Sequence, residues 1–80
     1  MEFSSNEFKV KGEDLLRKIR ELLHESNVTR IIIKDESGKT YLEIPVTVGI
    51  LGAVFAPVLA AVGALAALAA NFTIEVVRKE

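Results

Sequence analysis

Between Glu43 and Glu75 the chain carries no charged side chain, and from Val48 to Ala70 it carries no polar side chain at all, a run of twenty-three residues in a chain of eighty. A run of that length permits two structures, a membrane span or a helix buried in a small domain. Twelve of the twenty-three are Ala or Gly and one is Pro57, so the run is apolar without being strongly so. On an insertion scale its ten Leu, Ile, Val and Phe residues offer roughly −3 to −6 kcal/mol, which the glycines and the proline largely cancel. No Trp or Tyr belt flanks it, and the nearest charges are the carboxylates Glu43 and Glu75 rather than the Lys or Arg that fix orientation in a membrane.

The flanks decide further. Val28–Lys34 and Thr40–Ile44 are β-branched and aromatic runs joined by the polar Asp35-Glu36-Ser37-Gly38-Lys39, which reads as a hairpin. Ile31 with Ile33, and Leu42 with Ile44, share an oily face, while Arg30, Lys34 and Glu43 stand opposite with Ile32 and Tyr41. After the run, Phe72, Ile74 and Val76 alternate with Thr73, Glu75 and Val77, giving another strand with one oily face. A membrane between Ile44 and Phe72 would separate faces that need each other, so a buried helix is the expected reading.

Upstream, Glu7-Phe8-Lys9-Val10 alternates as a short strand. From Gly12 the period becomes helical, with Leu15, Leu16, Ile19, Leu22 and Leu23 on one side and Glu13, Asp14, Arg17, Lys18, Arg20 and Glu21 on the other. Glu13 with Arg17 and Asp14 with Lys18 are spaced for i,i+4 ion pairs. The helix is expected over Glu13–Glu25. The expected fold is α+β, a small antiparallel sheet with two helices on one face. Its element order is β-α-β-β-α-β (ferredoxin-like), or α-β-β-α-β if the first strand does not form. Residues 1–80 form one domain, with residues 1–6 expected as a flexible amino terminus.

On a helical wheel the run is two-sided. Val48, Leu51, Phe55, Val58, Val62 and Leu65 form a bulky stripe suited to the sheet, and Gly49, Ala53, Ala56, Ala60, Gly63, Ala67 and Ala70 form a thin one. Thin stripes let a second backbone approach closely. A helix of twenty-three residues spans ~35 Å and would overhang strands of ~23 Å, so Pro57 either kinks it or begins a shorter helix from Pro57 to Ala70. An all-round apolar helix in so small a domain leaves surface uncovered, which predicts a homodimer or higher oligomer through the thin stripe.

Chemistry is sparse. Without Cys there is no thiol nucleophile, disulfide or Cys-based metal site. Ten Lys and Arg against eleven Asp and Glu give no electrostatic footprint for nucleic acid, and the acidic start, Met1-Glu2-Phe3, lacks the order of a signal peptide. His24, the one histidine, belongs at the end of the first helix with no ligand set around it. Glu43 and Glu75 look like cross-strand ion-pair partners of Arg30, Lys34, Arg78 and Lys79. Gly49-Ile50-Leu51-Gly52 lacks the Lys and Ser/Thr of a phosphate loop, and Tyr41 alone makes no RNA-binding platform. No catalytic residue, cofactor or metal site is predicted. The expected function is a non-enzymatic, self-associating interaction module in the cytoplasm. The alternatives are a small membrane-associated protein using residues 48–70, and a binder of apolar ligands.

Val10-Lys11-Gly12 with Leu15-Leu16, Leu23-His24-Glu25, Arg30-Ile31-Ile32-Ile33-Lys34, Gly38-Lys39-Thr40 and Leu42-Glu43-Ile44-Pro45-Val46-Thr47-Val48-Gly49 resemble a bacterial family of domains of unknown function, the one numbered 4342. The likeness continues through Ala56-Pro57 and Ala60-Ala61-Val62-Gly63-Ala64-Leu65-Ala66-Ala67, and so covers nearly the whole chain. It implies no activity. Some members resemble fusions with an amino-terminal ubiquitin-associated-like helical segment, which implies an interaction role. Here only a few residues precede Phe8, so the likeness does not extend to that segment.

Overall fold

The computed structural model describes residues 2–46 and 55–79. Six elements follow in the order β1 (Phe3–Lys11), α1 (Gly12–Leu23), β2 (Val28–Lys34), β3 (Thr40–Pro45), α2 (Phe55–Ala66) and β4 (Asn71–Lys79). The four strands make one antiparallel sheet in the order β1-β4-β2-β3. β1 and β2 therefore run parallel with β4 between them, a split β-α-β unit, and β3 folds back from β2 as a hairpin. The α+β class and the β-α-β-β-α-β order agree with the sequence reading.

One face of the sheet holds the core. Ile31 and Ile33, Ile44, and Phe72, Ile74 and Val76 are buried against Leu15, Ile19 and Leu22 of α1 and Val62 of α2. Phe8, Val10 and Leu42 extend this face towards both edges and are half-buried. Alternation in the strands and 3,4 spacing in α1 put these side chains together, and each large residue fully buried contributes on the order of 2 kcal/mol. No buried side-chain polar atom lacks a partner among the described residues.

β1 is longer than its apolar alternation indicates. Pairing with β4 runs without interruption from Phe3 opposite Lys79 to Lys11 opposite Asn71, so residues 3–6, expected as a flexible terminus, are strand. Ser4, Ser5 and Asn6 give no hydrophobic signal, and backbone hydrogen bonding to β4 defines them instead.

The hairpin loop is organised by Asp35. Its Oδ1 accepts hydrogen bonds from the Ser37 hydroxyl (2.7 Å), the Lys39 amide (2.8 Å) and the Ser37 amide (2.9 Å). Gly38 completes the turn at φ 93°, which a side chain would disfavour. A register shift between Ile33 and Lys34 pairs Ile33 with Leu42 and Lys34 with Thr40, leaving Tyr41 between them. Tyr41 thereby leaves the outer face assigned to it from the alternation. Its ring lies 5.7 Å from that of core Phe72, tilted by 58°.

In α1 the surface charges pair differently from the expected i,i+4 set. Arg17 reaches Asp14 (3.1 Å) and Glu21 (3.8 Å), and Lys18 reaches Glu21 (3.6 Å). Lys18 also lies over the Phe8 ring, 5.2 Å from its centroid, and that draws it away from Asp14.

The closest approach in the fold is at the start of α1. The Gly12 amide donates to the Ala70 carbonyl at 2.8 Å. A Cβ on Gly12 would stand 2.7 Å from the Ala69 carbonyl oxygen and 2.9 Å from that of Ala66. Those are backbone atoms, which cannot step aside as a flexible side chain can. Gly12→Ala should therefore destabilise by about 2 kcal/mol, as overpacking typically does, lowering Tm by roughly 8 to 16 °C in thermal denaturation followed by circular dichroism.

Hydrogen bonds from Ser37, and then from the Lys39 amide, hold the Asp35 carboxyl below its ordinary pKa of 3.8. A carboxyl lowered on folding contributes stability that is complete above its unfolded pKa and is lost as pH falls through the folded one. Asp35→Ala should thus lower Tm near neutrality and shrink the difference from the parent chain in acid, measured as Tm against pH.

Candidate functional site

α2 contains no charged or polar side chain. Three residues of the expected bulky stripe point inward: Val62 is fully buried, and Val58 and Leu65 are half-buried against the core with Leu59 and Ala66, while Val48, Leu51 and the side chain of Phe55 lie outside the described residues. On the other side Pro57, Ala60, Ala61 and Ala64 are exposed, followed past the helix end by exposed Ala67 and Leu68, the latter 69% accessible. The cause is geometric. One sheet and one partner helix cover α2 from two directions, and nothing among the described residues covers it from the third.

The seven small residues expected to form an interface divide as follows. Ala60 is exposed and Gly63 half-buried on α2 itself. Ala67 and Ala70 are exposed but lie beyond the helix, which ends at Ala66 instead of Ala70. There the Ala67 and Leu68 amides bond back three residues to Ala64 and Leu65, and the chain turns towards β4. Gly49 and Ala53 lie outside the described residues, as does the side chain of Ala56. The uncovered face is therefore centred on Pro57, Ala60, Ala61, Ala64 and Leu68, with Gly63 at its margin. A Cβ on Gly63 would meet nothing within 4 Å, so no contact among the described residues requires a glycine there.

Pro57 is the third residue of α2, neither a mid-helix kink nor the first position. In the first helical turn a missing N–H forfeits no helical hydrogen bond. At twelve residues α2 equals α1 in length, about 18 Å. No helix among the described residues is long and apolar enough to cross a membrane.

Five charged groups on the outer sheet face, Glu7, Arg30, Lys34, Glu43 and Glu75, form ion pairs. Glu7 and Glu75 are direct cross-strand partners, an unfavourable juxtaposition of like charges. Lys34 relieves it, with Nζ 2.8 Å from Glu7 and 2.7 Å from Glu75. Hydrogen bonds from its ammonium to Glu7 and to Glu75 raise the Lys34 pKa to about 12. Glu43 pairs with Arg30 at 3.1 Å. Glu43 and Glu75 are not on neighbouring strands, because both register against Ile32 from opposite sides of β2. Arg78 leaves this face and bonds Glu25 beyond the end of α1. His24 is the exposed C-cap residue of α1.

Concave features are shallow. A groove of about 460 Å³ beside the hairpin is lined by Asp35, Glu36, Ser37, Tyr41 and Ala69–Asn71, and the Ser37 hydroxyl and Asp35 carboxylate within it bond each other as part of the turn. No group of three potential metal ligands occurs among the described residues. Sequence reasoning missed Gly12, whose signal was slight: a glycine between a strand and the first turn of a strongly periodic helix.

A family model described as "Domain of unknown function (DUF4342)" matches residues 2–78. No curated protein and no solved structure matches the chain.

Lys34 is only 19% exposed, whereas Arg30 and Glu43 are about half exposed. Lys34→Met should accordingly lower Tm more than Arg30→Met, and adding Glu75→Gln should recover part of the loss by removing the carboxylate pair. Because the raised Lys34 pKa contributes stability below pH 10.5 that is lost only as pH rises through about 12, the deficit of Lys34→Met should be constant across neutral pH in thermal melts.

Proposed function

The chain belongs to the DUF4342 family, and on that premise we propose that it is a non-enzymatic assembly module whose copies associate through the outer face of α2. The observation that carries this reading is an exposed helical face, Pro57, Ala60, Ala61, Ala64 and Leu68, without one polar side chain. Contiguous apolar surface of this kind on a small domain is characteristic of an interaction site. A helix lined with Ala admits a second helix at short distance, and two identical faces meet about a two-fold axis with no charge to desolvate.

Gly63 supports the same reading. Glycine inside a helix costs about 1 kcal/mol relative to alanine, and a Cβ on Gly63 would meet nothing within 4 Å, so no contact among the described residues compensates that cost. Close approach of a second copy does. The ion pairs that Arg30 and Lys34 make on the opposite sheet face hold those charges in structural contacts, which leaves the apolar face of α2 as the feature that supports a binding role. A cytoplasmic setting is consistent with a chain that uses no cysteine.

Membrane association is the second reading, favoured by the exposure of Leu68 beside Ala61 and Ala64. At about 18 Å, α2 would lie in the interface, since a crossing needs about 30 Å.

Sedimentation equilibrium in detergent-free buffer should give a mass at least twice the 8.7 kDa of the chain. Replacing Ala60 and Gly63 together with Leu should lower that mass while the circular dichroism spectrum of the protomer stays intact, because Ala60 is exposed and a Cβ on Gly63 would meet no described atom within 4 Å. An unchanged mass in the double variant, or a single-chain mass for the parent at high micromolar concentration, overturns self-association through α2. Co-sedimentation of such a monomer with anionic vesicles would favour the membrane reading instead.

A further inference from the structure

β1 is an edge strand, and its pattern is complementary to itself. All nine residues of Phe3–Lys11 pair with β4 in unbroken register, with no proline in the strand and no positive φ at a residue other than glycine. The opposite edge of β1 faces no strand among the described residues. A regular edge of this length presents a row of unpaired amides and carbonyls, which is a template for another strand. The core also reaches this edge. Phe8 and Val10 are half-buried on the helix side and, with Asp14, Arg17 and Lys18 of α1, line a groove of about 390 Å³ alongside the strand.

We propose that β1 pairs antiparallel with β1 of a second copy about a two-fold axis through Phe8, joining two sheets into one of eight strands. Charge selects this register. With Phe8 on the axis, Glu7 of each copy stands opposite Lys9 of the other, and Ser5 opposite Lys11, all on the outer face. Asn6 stands opposite Val10 and Phe8 opposite Phe8 on the core face. Centring on Glu7 or on Lys9 instead places two like charges directly opposite each other, which is destabilising. A shift by one residue puts Phe8 on the wrong face. Lys9 has no ion-pair partner among the described residues, so it is available to Glu7 of the second copy, whose other flank already holds Lys34. This contact is distinct from the α2 face and does not depend on it. A chain with both interfaces would assemble beyond a dimer.

The absence of Cys makes a direct test clean. Ser5→Cys and Lys11→Cys, both at exposed positions, are made in separate chains, mixed and oxidised with copper phenanthroline. Opposed residues in an antiparallel pair lie about 5 Å apart at the Cα atoms, within disulfide range, whereas two copies of either position alone are offset by six residues, roughly 20 Å. A covalent dimer should form in the mixture and in neither variant alone. Adding Lys9→Glu to both chains sets carboxylate against Glu7 of the second copy and should abolish the band, with circular dichroism confirming that the fold persists. Adding Ala60→Leu and Gly63→Leu should leave the band in place, so failure of the α2 reading is distinguishable from failure of this one. No dimer in the mixture, or equal yield from Ser5→Cys alone, overturns the proposal.

Discussion

The meeting of Gly12 with the chain between α2 and β4 sets the geometry of the rest. β1 and β4 are neighbours, so the helices leaving one and entering the other must begin and end at the same corner of the sheet. The Gly12 amide on the Ala70 carbonyl, with the Ala66 and Ala69 carbonyls where a side chain would be, ties that corner without an intervening layer. The hydrogen bond satisfies an amide that a helix start would otherwise leave unpaired, since the residue preceding Gly12 supplies no side-chain cap. Both helices are thereby held on one face, and Leu15, Ile19 and Val62 join Ile74 and Phe72 in one buried cluster.

That arrangement divides the molecule's surfaces by chemistry. The outer sheet face carries ion pairs, with Lys34 between two opposed carboxylates and Arg30 beside Glu43. α1 is covered by its own ion pairs. α2 has no charged side chain, and no described residue covers its far side. The contrast between two helices of equal length is what gives the apolar face its functional weight, because α1 demonstrates that the fold itself tolerates a charged outer helix surface.

Much of this was legible in the chain. Phe72, Ile74 and Val76 alternate because one sheet face is wet, and Leu15, Ile19 and Leu22 recur because one helix side is dry. What was hidden depends on contacts distant in sequence. Ser4 to Asn6 are strand because β4 pairs with them, not because they are oily. Ala67 to Ala70 have helical propensity, yet the chain turns there to bring Ala70 to Gly12 and Phe72 into the core. Tyr41 changes face because of a register shift that no alternation announces. The candidate interface was legible as a thin side of the helix. Its centre fell nearer Ala61 and Ala64 because the partner helix and sheet, not residue size alone, decide which side stays open.

The position of β4 has a kinetic consequence. The last element in the chain lies inside the sheet, joined to β1 across a separation of about sixty residues, whereas the β2–β3 hairpin closes locally. Loop-closure entropy therefore delays the step that completes the sheet until after the hairpin and helices can form. During that interval α2 has no floor of Phe72 and Ile74 beneath it, and both of its sides are open to solvent. Until that strand docks, the chain exposes more apolar surface than the finished fold does, so encounter between chains competes with completion of the fold.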